Sequence, residues 1–204
     1  MTDKPMLASD AVPPLTDRAF RRISVSEYES MIQTGVLRED DNVELLEGWI
    51  VEKMTKNPEH SDTTQFLRDW LPSIIPSGYI VRDQEPIVTS DSQPEPDIVV
   101  LRGTRRDFSR RKPTPSEVVL VIEVADSSLR DDRNWKARIY ARAGIPEYWI
   151  INLPERRVEV FQTPHTEGFS PGYQVSVVYG IEDAVPVVLD GREVARLPVR
   201  ELLP

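Results

Sequence analysis

The chain has 204 residues and a formal net charge of -9, from 25 Lys and Arg against 34 Asp and Glu. A hydrophobic content of 39% excludes a largely disordered chain, and no run approaches the roughly 18 apolar residues of a membrane-spanning helix. Cysteine is absent, which excludes disulfides and thiolate chemistry. We therefore expect a cytoplasmic protein with one domain over residues 21–204, preceded by a mobile arm over residues 1–20.

The first half of the chain is predicted to form two helices on either side of a hairpin. Ser26 followed by Glu29 resembles a capping box and predicts the start of a short helix. The pattern VELLEGWIVEKM, residues 43–54, predicts two strands around a turn at Glu47 and Gly48. Apolar residues at helical spacing predict a longer helix over residues 60–75.

The second half is predicted to supply a sheet. Strand patterns occupy residues 79–88, 97–101, 118–124, 147–152 and 157–161, with a helix over 134–143. The run VVLVIEV, residues 118–124, is apolar on both faces apart from one residue, which is typical of a central buried strand. Strands and helices in this order predict an α/β domain with one sheet.

The exceptional residue in the central strand is Glu123. An ionised carboxylate among apolar neighbours costs several kcal/mol unless it is paired or binds a cation. Glu123 also lies near the carboxyl end of its strand, where α/β sheets tend to place their chemistry. It is therefore either the partner of a buried Arg or Lys or one ligand of a metal ion.

Two further charged residues extend this pattern. Asp97 follows a proline and opens the next apolar strand, so it is either a turn residue or a carboxylate at the rim of the sheet. Lys136 follows Asp132 at helical spacing and is either its solvated partner or part of a site. Two carboxylates side by side, such as Asp97 and Glu123, form a hard oxygen site suited to Mg²⁺ or Mn²⁺.

The densest basic run, RGTRRDFSRRK over residues 102–112, contrasts with the acidic total. Such a run is either a solvated surface loop or a phosphate-contacting loop beside an active site. The candidate nucleic-acid-binding residues are Arg102, Arg105, Arg106, Arg110, Arg111 and Lys112.

Three segments resemble a known family. EPDIVVL (95–101), LVIEVADSS (120–128) and DRNWKARIYARAGIPEYWIIN (132–152) are similar to the Uma-type restriction endonuclease family of the PD-(D/E)XK nuclease superfamily. The resemblance extends over about residues 20–165. It implies a restriction-endonuclease-like fold, with a central mixed β-sheet flanked by helices.

The resemblance also implies a site. Asp97 and Glu123 would bind Mg²⁺ or Mn²⁺, together with the main-chain carbonyl of Val124. The superfamily usually places a lysine two residues after the glutamate, where this chain has Ala125. Lys136 resembles a lysine that has migrated to the next helix, and it would complete the catalytic set.

Three other residues match family positions. Glu44 near the N-terminus and Gln84 could each complete the site. His60 is either a structural histidine at a helix start or a residue that lines the site. Only two histidines and no cysteine are present, which argues against zinc.

The implied activity is metal-dependent hydrolysis of phosphodiester bonds in DNA, as an endonuclease. An alternative of another class is a non-catalytic nucleic-acid-binding or scaffold protein that retains the nuclease fold. A third is a metal-dependent enzyme acting on another phosphoester, although no glycine-rich phosphate loop is present. Apolar residues in 175–179 could pair across a two-fold axis in a homodimer.

Overall fold

The computed structural model describes residues 20–166 and 171–204. The predicted N-terminal arm therefore lies outside the described residues, except for Phe20. The described helices are α1 (Val25–Gln33), α2 (Pro58–Ile74), α3 (Leu129–Asp131), α4 (Ala137–Arg142) and α5 (Val199–Leu202). The strands are β1 (Val43–Leu46), β2 (Trp49–Glu52), β3 (Tyr79–Asp83), β4 (Ile98–Arg102), β5 (Val118–Ala125), β6 (Glu147–Asn152), β7 (Arg157–His165), β8 (Gly172–Tyr179), β9 (Ala184–Leu189) and β10 (Arg192–Pro198).

Six strands form the central sheet in the order β3-β4-β5-β6-β7-β8. β5 and β6 run parallel, whereas the other neighbouring pairs are antiparallel, so the sheet is mixed. All eight residues of β5 are buried, which confirms the predicted central strand. The predicted α/β class, with a central mixed sheet flanked by helices, is confirmed.

The two faces of the sheet are covered by different elements. On one face, Leu67 and Leu71 of α2 join a core that includes Val185 and Val187 of β9. On the other, α4 packs Tyr140 against the sheet. Apolar burial on both faces explains why β5 carries β-branched residues almost throughout. Among the described residues, no helix is both long and apolar enough to cross a membrane.

The predicted start of α1 was wrong by two residues. Ser24, not Ser26, is the N-cap: its hydroxyl accepts from the Glu27 N–H, and the Glu27 side chain accepts from the Ser24 N–H. Both serines stand three residues before a glutamate, so the local pattern fits either. Backbone contact between Ile23 and Gly48 fixes the chain just before Ser24, which favours the earlier cap.

The bounds of other elements also differ from the predicted ones. β3 ends at Asp83 instead of residue 88, because Gln84 takes a left-handed backbone with a φ of 51°. The helical segment after β5 begins at Leu129, five residues before the predicted start, and continues through a π-helical turn, Asp132–Lys136, into α4. The hairpins β1–β2 and β6–β7 are confirmed.

A buried carboxylate joins the β1–β2 hairpin to α4. Glu47, in the turn, accepts hydrogen bonds from Arg138 Nε at 2.9 Å and from Arg142 Nη1 at 2.8 Å. The indole of Trp135 also donates to Glu47, at 3.1 Å. Burial raises the pKa of Glu47, but the two arginines outweigh it and hold the pKa below its usual value. These bonds fix the hairpin that carries Glu44.

Glu47→Ala should lower the free energy of unfolding by roughly 1–3 kcal/mol, because two partly buried arginines lose their carboxylate. Urea denaturation measures the change. The matched control is Glu193→Ala, which breaks an exposed pair with Arg196 and should change stability by less than about 0.5 kcal/mol. Equal effects of the two substitutions would contradict the proposed anchoring role.

Candidate active site

The candidate site lies where neighbouring strands β4 and β5 present carboxylates at one edge of the sheet. Asp97 immediately precedes β4, and Glu123 is the sixth residue of β5. β4 and β5 are antiparallel, with Ile98 opposite Ile122, so the start of one strand meets the end of the other. The sheet topology therefore brings together two carboxylates that are far apart in the sequence.

Asp97 is held through one of its two carboxylate oxygens. Its Oδ2 accepts from His60 Nε2 at 3.1 Å and from the Val124 N–H at 2.9 Å. Its Oδ1 faces the ammonium of Lys56 at 3.5 Å. Burial raises the pKa of Asp97, but the hydrogen bonds from His60 and Val124 outweigh it and lower the pKa, so the carboxylate is favoured.

Glu123 is buried between a tyrosine and a lysine. Its Oε1 accepts from the Tyr140 hydroxyl at 2.7 Å and from Lys136 Nζ at 3.1 Å. Burial raises the pKa of Glu123 to about 8, against the opposing effect of Lys136. Burial thus opposes ionisation of Glu123, and a nearby cation favours its carboxylate.

Lys136 stands at the centre of three carboxylates. Its Nζ lies 3.1 Å from Glu123, 3.4 Å from Glu44 Oε1 and 4.0 Å from Asp132 Oδ1. Burial lowers the pKa of Lys136, but the carboxylates, led by Glu123, hold it well above its usual value. The ammonium is therefore charged and fixed in place, and it faces Glu123.

Glu44 and Asp132 complete the acidic cluster. Glu44, on β1, accepts the Glu95 N–H through Oε2 at 3.0 Å, which leaves Oε1 toward Lys136. Asp132 accepts from the Ser128 hydroxyl at 2.6 Å, and burial raises its pKa to about 6. Both side chains line the same cleft as Asp97 and Glu123.

The two remaining predicted site residues also reach the cleft. His60 is the third residue of α2, after the N-cap Asn57, and it is buried against Asp97. Gln84 lines the cleft, and its backbone N–H donates to the Asp97 carbonyl at 3.2 Å. His60 thus lies in the first turn of α2 and also contacts a carboxylate of the cleft directly.

The donor set fits a small divalent cation. Four buried carboxylates, those of Glu44, Asp97, Glu123 and Asp132, line the cleft with one buried ammonium, which leaves an excess of negative charge. Within residues 20–166 and 171–204, no group of three or more His, Cys, Asp or Glu is arranged as a preformed metal cage. Mg²⁺ commonly binds one or two carboxylates and keeps water or substrate oxygens as its other ligands, so the pair Asp97 and Glu123 could hold such an ion.

Val124 is suitably placed to add a carbonyl ligand. Its N–H points toward the β4 side of β5, where it binds Asp97. The C=O of the same residue shares that side in an extended strand, and continuing the β4–β5 register places Pro96 opposite it. Proline has no N–H to donate. Asp97, Glu123 and this carbonyl are therefore the residues that would hold the ion.

The first residue of the basic loop is not beside this site. Arg102 ends β4, so it lies five residues from Asp97 along an extended strand, or about 16 Å away. β4 therefore leads away from the edge that carries the carboxylates, and a position of the whole run 102–112 beside them stays a prediction. Three of its cations have carboxylate partners: Arg102 with Asp190, Arg111 with Glu117 and Lys112 with Glu29. The others, Arg105, Arg106 and Arg110, are exposed.

Sequence reasoning missed two functional neighbours. Tyr140 was interpreted as core packing, and it is buried, but its hydroxyl binds Glu123. Its position four residues after Lys136 on a helical segment was the available signal. Lys56 lies in the β2–α2 loop and had no pattern that could identify it.

Comparisons with known proteins identify the family and the fold. The model of the Uma2 family, described as "Putative restriction endonuclease", matches residues 25–199. The crystal structure of a putative nuclease belonging to DUF820 from Anabaena variabilis aligns with a TM-score of 0.65 and 16% identity, covering 88% of this chain and 97% of that one. Comparison with curated proteins gave no match. The structural likeness shows the shared fold, and the family match over most of the described residues shows that the chain belongs to the Uma2 family.

Proposed function

We propose that the chain is an endonuclease that hydrolyses phosphodiester bonds in DNA with Mg²⁺ or Mn²⁺. The observation that carries this proposal is the placement of Asp97 and Glu123 in one cleft, with the ammonium of Lys136 fixed 3.1 Å from Glu123. The family match and the likeness to the Anabaena variabilis nuclease support the same reaction class.

Asp97, Glu123 and the Val124 carbonyl would hold the metal ion. When bound, such an ion stabilises negative charge on a phosphate and makes an attacking water more acidic. His60 keeps Asp97 in its orientation through Oδ2, so that Oδ1 stays directed into the cleft. Tyr140 and Lys136 fix Glu123 in the same way.

Lys136 would act on the reacting group. Its ammonium would orient the attacking water or stabilise the charge that develops on the phosphate in the transition state. The carboxylate of Glu44 would position Lys136, because its Oε1 faces the ammonium while its Oε2 accepts the Glu95 N–H. A charged donor that is already fixed in place needs no reorganisation during the reaction. This preorganisation is the main source of such transition-state stabilisation.

Several features of the substrate and assembly stay predictions. Phosphate contacts by the exposed arginines of the basic loop would fix DNA away from the reacting bond without reading its sequence. A homodimer is supported by exposed Val175, Val177 and Val178 on β8, which ends the order of the central sheet. The cytoplasmic location rests on the cysteine-free sequence.

Purified protein should cleave plasmid and single-stranded DNA when Mg²⁺ or Mn²⁺ is added, and EDTA should stop the reaction. Asp97→Asn and Glu123→Gln should each reduce the cleavage rate by about 100-fold or more, because each removes charge that holds the ion. Gel electrophoresis of the products measures the rate.

The matched control is Glu147→Gln. Glu147 is also a buried carboxylate, but it begins β6 and therefore lies at the opposite edge of the sheet from Glu123. Its loss should leave cleavage near the wild-type rate. Undiminished cleavage by both Asp97→Asn and Glu123→Gln would refute the assigned site.

Lys136→Met should separate binding from catalysis. Removing the ammonium should abolish cleavage, yet Mn²⁺ binding measured by calorimetry should persist, because the carboxylates remain and lose a competing cation. The variant should also be less stable without metal, since three buried carboxylates then lack their ammonium. Cleavage at the wild-type rate, or loss of Mn²⁺ binding in a folded variant, would contradict the role given to Lys136.

A further inference from the structure

Among the lysines that line the cleft, Lys56 has the weakest contact with a carboxylate. Its Nζ lies 3.5 Å from Asp97 Oδ1, and its side chain is 40% exposed. Lys136, in contrast, is 13% exposed and lies among three carboxylates. Lys53, at the same rim, donates to Glu95 at 2.6 Å. Lys56 can therefore leave its carboxylate at lower cost than either of the other two lysines.

The loop that carries Lys56 is anchored to the site at its α2 end. Asn57 caps α2, because its Oδ1 accepts the His60 N–H at 2.8 Å. The amide of Asn57 donates to Asp126 at 2.8 Å, and Asp126 directly follows β5. The backbone next to Lys56 is thus fixed beside the carboxyl end of β5, while the long lysine side chain is free to change rotamer.

The oxygen that Lys56 faces is the one a metal ion would need. Oδ2 of Asp97 already accepts from His60 and from Val124, so Oδ1 is the oxygen directed into the cleft. An ammonium and a divalent cation cannot both occupy one carboxylate oxygen at short range without repulsion. Loading of the ion would therefore displace Lys56 toward the solvent side of the cleft.

A phosphate is the group this displaced ammonium would meet. Arg102, which begins the basic loop, lies at the other end of β4, and Arg111 and Lys112 at the far end of the loop already pair with Glu117 and Glu29. Lysine binds phosphate as a mobile point charge and needs no fixed fork geometry. Substrate phosphates beside the reacting bond would thus enter the region that Lys56 can reach from its anchored loop.

We propose that Lys56 is a two-position residue: it neutralises Asp97 in the metal-free protein and binds a nucleic-acid phosphate next to the reacting bond once the ion is present. This inference rests on the proposed function, because it needs both an ion at Asp97 and a nucleic-acid substrate. It adds a substrate-binding residue that no motif identified.

The test measures two affinities of Lys56→Ala. Calorimetric titration with Mn²⁺ should show binding roughly three- to tenfold tighter than in the wild type, since the competing ammonium is gone. Fluorescence anisotropy of a labelled single-stranded oligonucleotide, in Ca²⁺, should show weaker binding, with the slope of log affinity against log salt reduced by about one. The two changes therefore have opposite signs.

Two variants serve as controls. Lys56→Arg keeps the charge and should retain most of the oligonucleotide affinity. Arg192→Ala removes one exposed cation at the β9–β10 turn and should leave Mn²⁺ affinity unchanged. It shows the effect of net charge alone on the oligonucleotide.

The possible results separate the two proposals. A wild-type protein that binds neither Mn²⁺ nor the oligonucleotide would overturn the proposed function, and this inference with it. A wild type that binds both, with Lys56→Ala tightening Mn²⁺ but leaving the oligonucleotide unchanged, would overturn the phosphate role alone. Unchanged or weaker Mn²⁺ binding by Lys56→Ala would likewise overturn the inference while the proposed function stands.

Discussion

An ionised carboxylate inside a sheet costs several kcal/mol unless donors and cations surround it, and Glu123 introduces that cost into β5. All its strand neighbours are buried, so water cannot solvate it. The rest of the site supplies what water does not: a tyrosine hydroxyl, an ammonium and, in our account, a divalent cation. Apolar packing alone would favour another valine at this position, and our proposal gives the carboxylate a role that valine cannot fill.

The surrounding elements are arranged to satisfy this one group. The helical segment after β5 passes back over the sheet and brings Lys136 and Tyr140 onto Glu123. The β1–β2 hairpin adds Glu44 on the other side of the ammonium. Contacts of Glu47 with Arg138 and Arg142 fix the hairpin there. Stability and function therefore share the same contacts, and loosening the hairpin would also loosen the site.

The sequence predicted the centre of this arrangement better than its periphery. Glu123 stood out because it interrupts an apolar strand, Asp97 and Lys136 followed from their positions in strand and helix patterns, and the family resemblance added Glu44. The structure brings these four residues into one cleft. Local patterns could not choose between two serines that both precede a glutamate by three residues, since tertiary contact with Gly48 decides. Nor does a charge run reveal which edge of a sheet it occupies: the direction of β4 relative to β5 places the basic loop, and that direction is set by strand pairing.

The central claim is that the buried carboxylates at the β4–β5 edge form a divalent cation site, and anomalous diffraction tests it most directly. Crystals soaked in Mn²⁺ should give an anomalous peak within coordination distance of Asp97 Oδ1 and Glu123, with the Val124 carbonyl as a further ligand, about 2.1–2.3 Å for oxygen ligands of such ions. In the same crystals the Lys136 ammonium should remain beside Glu123. The absence of a peak at this edge, or Mn²⁺ bound only elsewhere on the protein, would contradict the account.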